Sequence, residues 1–196
     1  MLTLHATDDG SVLVDGDTVA ALGSFDELAG AHPSARVRRW PGILTPGLLN
    51  PYGPEILEST YHPDPREAGT YGTVPIGGQR AREIFRAEPA RLGPSARRGV
   101  QRLLAHGTVA IAGELKSKAA IDAVRGAGLA FGNRPQKMPG PVSLTPRPLV
   151  LLPQLTVGGP ARFAVFDVPS REDLVRLGAS TCVATVIAGR LLYRGR

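Results

Sequence analysis

Ser11-Val12-Leu13-Val14-Asp15-Gly16-Asp17-Thr18-Val19-Ala20-Ala21-Leu22-Gly23 is the stretch on which the fold turns. Two short apolar runs flank the turn signal Asp15-Gly16-Asp17, a pattern that predicts a β-hairpin. A second hairpin is written at the other end of the sequence. There Val183-Ala184-Thr185-Val186-Ile187 and Arg190-Leu191-Leu192-Tyr193 are joined at Ala188-Gly189. The two ends are expected to pair into one small β-sandwich, so segments 12–22 and 183–193 should share a unit although they are far apart in sequence.

Outward from the first hairpin, Ser24 is placed to cap a helical turn over Phe25-Asp26-Glu27-Leu28-Ala29. Arg36-Val37-Arg38-Arg39-Trp40 alternates as an edge strand does, and Ile43-Leu44-Thr45 leads into Pro46-Gly47. Outward from the second hairpin, Arg162-Phe163-Ala164-Val165-Phe166-Asp167 reads as a strand, and 170–177 as a short helix with Ser170 as cap and Asp173 three residues on.

The middle follows different rules. Residues 96–106 fit an amphipathic helix in which Ala96, Val100, Leu103 and Leu104 share a face and Gly107 closes the end. Thr108-Val109-Ala110-Ile111-Ala112 reads as a buried strand, 118–125 as a helix capped by Ser117, and Leu129-Ala130-Phe131 as the next strand. Helix and strand alternating in this way is the grammar of parallel α/β units. Two segments are expected to lack regular structure: 61–78, with Pro63, Pro65 and Pro75, and 135–153, which carries six prolines and reads as a linker.

Composition narrows the function classes. An apolar content of 42% fits a folded protein, and 196 residues suffice for one domain with an insert. The net charge of +6 raises nucleic-acid binding as a possibility. The basic residues, however, fall in separate groups: Arg36, Arg38 and Arg39; Arg97, Arg98 and Arg102; Arg190, Arg194 and Arg196. No aromatic platforms accompany them as a stripe, so a nucleic-acid partner is not expected. Cys182 is the lone cysteine and reads as a small buried hydrophobe. Met1-Leu2-Thr3-Leu4-His5 lacks the pattern of a signal peptide, and no apolar run approaches membrane-spanning length, which makes a cytoplasmic protein the expectation.

Specific motifs then carry a resemblance. They are segment 14–23; Leu44-Thr45-Pro46-Gly47-Leu48-Leu49-Asn50-Pro51; Leu104-Ala105-His106-Gly107-Thr108-Val109-Ala110; and the closing segments 158–167 and 183–193. In this order they resemble the amidohydrolase superfamily, particularly its imidazolonepropionase-like members. The resemblance implies a composite β-domain built from both ends and a metal-binding (β/α)8 barrel from the middle. It also implies hydrolysis of non-peptide carbon–nitrogen bonds. The expected fold is therefore α/β: a discontinuous β-sandwich from 1–46 and 154–196, and a partial barrel-like layer from 47–134, with 135–153 as linker. Roughly 100 residues separate Pro46 from Pro148, against about 250 for a full barrel, leaving room for about three units.

In the family a His-x-His metal pair follows the Pro-Gly-Leu motif. Those two positions are Tyr52 and Pro54 here. Proline has no donor atom and neutral tyrosine is a poor ligand, so no stoichiometric metal and no cofactor are expected. Gly77-Gly78 and Gly158-Gly159 do not fit a phosphate-loop spacing.

The candidate pocket residues are Asn50, Tyr52, Glu55, His62, Asp64 and Glu114. Asn50, Tyr52 and Glu114 follow strand ends, where active sites of α/β folds gather. His62-Pro63-Asp64 is either a relocated ligand or acid–base pair, or a solvated loop in which Asp64-Pro65 starts a helix; the loop reading is the stronger. Three functions follow: a non-catalytic binder of a small molecule or protein; a hydrolase or deaminase of cyclic carbon–nitrogen bonds with a rebuilt site; and a subunit completed by a homodimer or partner protein at the open barrel side.

Overall fold

The two terminal hairpins lie face to face. The computed structural model describes residues 1–195; Arg196 lies outside the described residues. Strands β1 (Leu2–Thr7), β2 (Gly10–Asp15) and β3 (Thr18–Gly23) form an antiparallel meander. Helix α1 (Phe25–Ala31) follows, and β4 (Arg36–Arg39) joins β1 in parallel, giving the order β3-β2-β1-β4. The capping residue acts as read: Ser24 Oγ accepts the Glu27 N–H, and Glu27 Oε2 accepts the Ser24 N–H at 3.1 Å. Strand β1 was not singled out in the sequence. Its residues alternate apolar and polar, as a strand's do, but its burial does not alternate: Thr3 and His5 are buried along with Leu4 and Ala6, because both of its faces are covered.

After β5 (Ile43–Thr45) the chain enters the middle layer through β6 (Leu48–Asn50) and α2 (Gly53–Leu57). It continues through α3 (Ala68–Tyr71), α4 (Gly78–Ala87), α5 (Leu92–Leu104), β7 (Thr108–Ala112), α6 (Lys118–Ala127) and β8 (Ala130–Gly132). Strands β6, β7 and β8 form a parallel sheet in that order. The chain returns through β9 (Arg162–Phe166), α7 (Arg171–Leu177), β10 (Cys182–Ile187) and β11 (Arg190–Arg194) to complete an antiparallel sheet of order β11-β10-β9-β5.

Val12, Val14 and Val19 from the first sheet share one core with Phe163 and Val186 from the second. The sandwich is thus made from both chain ends. The far side of the first sheet packs Leu4 and Leu13 against Leu28 of α1. The middle sheet is flanked by α5 and α6, whose Ala96, Val100, Leu103, Ala120 and Val124 meet Val109 and Ile111. Ile187 of β10 belongs to that same core, which joins the two units. Gly107 marks the joint: its φ is 73°, and a Cβ there would lie 2.5 Å from Phe166 Cζ.

The middle sheet is a partial layer and not a closed barrel. The outer edge of β6 is covered by the chain itself: the Leu49 N–H donates to Val150 O at 2.8 Å, and the Leu152 N–H to Gly47 O at 3.1 Å. Among the described residues no strand pairs with the outer edge of β8, where Phe131 is about half exposed.

Two expectations are corrected. Segment 61–78 is ordered: Tyr61 and Ile76 exchange backbone hydrogen bonds at 2.7 and 2.8 Å, and a 3₁₀ turn at Pro65–Glu67 runs into α3. Tyr61 and Arg91 both bond Glu67, pinning the loop. Helix α4 escaped the sequence reading because it starts at a glycine pair without a side-chain cap and buries only Ala81 and Ile84. Helix α5 begins at Leu92, before the expected 96; Pro94 is tolerated because first-turn N–H groups have no intrahelical partner.

Phe163 is fully buried between the two sheets and meets the His5 ring edge-on, with centroids 5.0 Å apart. Phe163→Ala is expected to cost about 3–5 kcal/mol of stability, measured by urea unfolding, whereas the exposed Val175→Ala should change it by less than about 0.5 kcal/mol.

Candidate functional site

Strand β6 ends at Asn50, and everything that follows is arranged around that end. Asn50 is buried and all its polar atoms are used. Its Nδ2 donates to the carbonyls of Ser143 (2.9 Å) and Leu144 (3.3 Å), and its Oδ1 accepts the Tyr52 N–H (3.0 Å). The Tyr52 hydroxyl donates to the Gly140 carbonyl. Segment 135–153 therefore has no helix or strand of its own, yet it is tied down across the carboxyl end of β6.

These contacts decide how Tyr52 and Pro54, the two positions compared above with a His-x-His pair, are used. Tyr52 holds the 140–145 loop and Pro54 sits in the first turn of α2. Among the described residues no three His, Cys, Asp or Glu side chains come together to hold an ion. The donor set does not fit the family's metal.

Beside this strand end lies a cavity of about 750 Å³. One wall is Glu55, Ile56, Ser59, Thr60 and His62, from α2 and the loop after it. The facing wall is the 142–145 stretch, and Val74, Pro75, His106 and Ser180 complete it. Of the candidate residues, Glu55 and His62 line the cavity, while Asn50 and Tyr52 stand behind it and fix its wall. Asp64 lines a different cavity with Arg98, whose Nη1 is 3.4 Å from its carboxylate, and caps the 3₁₀ turn by accepting the Arg66 N–H. Glu114 is exposed and outside the cavity wall.

His62 is fully buried. Its Nε2 donates to the Ile56 carbonyl at 2.9 Å, which leaves Nδ1 as a lone-pair acceptor with no partner. The ring packs against α5 where only glycine fits: a Cβ on Gly99 would lie 2.8 Å from Nε2. Burial lowers the His62 pKa to about 4, against the opposing bond to Ile56. Burial also lowers the pKa of His106. Both imidazoles are thus neutral at pH 7. Glu55 is matched by Arg134 at 2.8 Å. The cavity is mainly apolar, with hydroxyls, two neutral imidazoles and one paired carboxylate.

Sequence reasoning passed over His106, read there as a helix-end residue, and the hydroxyls of Ser143 and Thr145 in the proline-rich segment. No spacing links them to His62. It also passed over the role of Glu58, whose Oε1 accepts the N–H groups of Lys116 (2.8 Å) and Ser117 (2.6 Å). Glu58 thereby caps α6, where Ser117 makes no side-chain cap bond. Cys182 is buried, and burial pushes its thiol up to about 11, so it is no nucleophile at neutral pH.

Residues 12–35, spanning β2, β3 and α1, match the imidazolonepropionase-like composite domain of bacteria. The matched stretch holds most of the opening hairpin and the Ser24 cap. No curated protein matches the sequence significantly. Among solved structures, A. niger ochratoxinase is 15% identical, with 67% of this chain and 31% of that one covered at a TM-score of 0.42. Guanine deaminase from Bradyrhizobium japonicum is 16% identical, covering 65% and 28% at 0.39. N-isopropylammelide isopropylaminohydrolase from Burkholderia multivorans is 16% identical, covering 67% and 37% at 0.43. The chain spans about a third of the length of these structures. Among the described residues no helix is long and apolar enough to cross a membrane.

The buried histidines set a pH dependence. His5 and His62 both have pKa values lowered to about 4, by burial first in each case. Well above pH 6.5 both rings are neutral folded and unfolded, so their burial carries no ionisation penalty. Between pH 6.5 and about 4 the unfolded chain binds the extra protons, and stability falls as pH falls. The expected slope is about 1.4 kcal/mol per pH unit per ring. Urea unfolding at pH 7, 5.5 and 4.5 should show it, and His62→Gln should remove one ring's share of the slope.

Proposed function

We propose that this protein is a non-catalytic amidohydrolase-like binder that takes an uncharged, mainly apolar small molecule in the cavity beside Asn50. The observation that carries this reading is the use of Tyr52 and Asn50 to hold the 140–145 wall. Groups at the strand end that would otherwise face a substrate are engaged with the chain itself. Three further features support it. Nε2 of His62 is committed to Ile56, the Cys182 thiol is neutral, and the cavity has no unpaired charge. An apolar cavity with a few polar groups is the common form of a small-molecule site.

The test uses Nile red, a neutral apolar dye, with cyclic amides and ureas as competitors. Nile red should bind saturably, and Val142→Asp, at an exposed apolar position on the wall, should weaken it at least about tenfold without changing the fold. Absence of saturable binding would remove the binder reading. The rival reading, a hydrolase or deaminase with a rebuilt site, gains its one support from His62 and His106 sharing this cavity. Ring opening of a cyclic urea by the protein, abolished by His62→Gln, would establish that rival.

Association belongs to the same proposal. β6 is covered by its own chain, so β8 offers the one unpaired outer edge of the middle sheet among the described residues, with Phe131 about half exposed beside it. An open strand edge pairs readily with another, and two copies can do so about a twofold axis. Light scattering should give a mass near twice 20.6 kDa, reduced to the monomer by Phe131→Lys. A monomer at micromolar concentration would refute it.

A further inference from the structure

The free edges of the two sandwich sheets, β4 and β11, meet at a groove of about 290 Å³. Arg36, Arg38 and Arg39 enter it from β4 and Arg194 from β11, with Trp40 as part of its wall. No carboxylate lines the groove. Among the described residues none of the four guanidinium groups is in an ion pair. Two of them rest on aromatic rings instead: Arg39 lies 3.9 Å from the Phe25 ring centre and Arg194 5.8 Å from that of Trp40.

Like charges gathered at one place repel unless an anion joins them. Arg38 registers the crowding. It is half-buried, and its pKa is lowered by burial and then by the charges of Arg36 and Arg194. Trp40 is held rigidly at the wall: its Nε1–H donates to His5 Nδ1 at 3.2 Å, and the two rings are nearly parallel, with an interplanar angle of 11°. With His5 on one side and Arg194 near its ring, Trp40 is not a free platform for a nucleobase.

We propose that this groove binds a small molecule carrying two or more linked phosphates, held by Arg36, Arg38 and Arg194. Guanidinium groups present paired N–H donors that match phosphate oxygens, and several of them suit an anion of multiple charge better than a monovalent one. The site is separate from the apolar cavity beside Asn50, so it stands whether or not that cavity binds a ligand.

Inorganic pyrophosphate is the probe, titrated into the whole protein by calorimetry against sodium chloride of matched ionic strength. Saturable binding is expected, with Arg38→Gln and Arg36→Gln each weakening it at least about tenfold. Both side chains reach solvent, and unchanged melting temperatures would show that the variants fold. The sequence holds one tryptophan, Trp40, so its fluorescence supplies a second readout local to the groove. A single-stranded oligonucleotide serves as competitor. The proposal is overturned if pyrophosphate gives no response beyond that of matched sodium chloride. It is overturned equally if both variants bind as the parent does, or if the oligonucleotide binds through these arginines and pyrophosphate does not displace it.

Discussion

The pairing of β5 with β9 is the constraint on which the rest of this fold depends. Ile43 pairs with Phe166, Leu44 with Val165 and Thr45 with Ala164, which brings the two ends of the sequence into one sheet. Everything between them becomes a long closed loop. The entropy lost in such closure grows only with the logarithm of loop length, so a large insert costs little more than a moderate one. What must be gained is burial, and β9 supplies it on both faces. Phe163 faces the sandwich core with Val186, while Ala164 and Phe166 face Leu48 and Leu174 on the other side. One strand thereby holds the sandwich and the middle layer against each other.

That arrangement explains which parts of the structure could be read from sequence. The two hairpins, the Ser24 and Ser170 caps, and the parallel units at 96–112 and 118–131 depend on local patterns, and each formed near its expected place. Strand β1 and helix α4 did not show. β1 lies between β2 and β4 with α1 over one face and Phe163, from the far end of the sequence, against His5 on the other. Segment 61–76 is held by the Tyr61–Ile76 pairing and by the contacts of Glu67 with Tyr61 and Arg91. Proline and glycine content correctly signals turns but says nothing of such long-range ties. The cavity was legible only in Glu55 and His62. His106, Ser143 and Ser180 reach it from three distant segments that only the tertiary fold brings together.

Charge follows the same logic. Along the sequence, Arg36, Arg38 and Arg39 lie far from Arg194, and the basic residues look dispersed. In the structure the β4 and β11 edges adjoin, and these side chains line one groove. The cavity beside Asn50 has the opposite character: its histidines are neutral and its one carboxylate is paired. A single small fold thus presents an uncharged apolar hollow and a strongly cationic groove on different elements. The two environments select different ligand chemistries.

At the strand end the use of Tyr52 and the formation of the cavity wall are one structural matter. A metal ligand needs a lone pair aimed into open space. Here the Tyr52 hydroxyl donates a hydrogen bond to the Gly140 carbonyl, and the Asn50 oxygen accepts the Tyr52 N–H. The second of these fixes the turn after β6, and the first holds the 140–145 loop over that turn. The loop in return needs them, because it has no helix or sheet of its own to satisfy its buried carbonyls. Asn50 Nδ2 serves two of these, at Ser143 and Leu144. Replacing Tyr52 by histidine alone would therefore not recreate a metal site. It would strip Gly140 of its donor and loosen the wall, while the second position, Pro54, still offers no ligand atom.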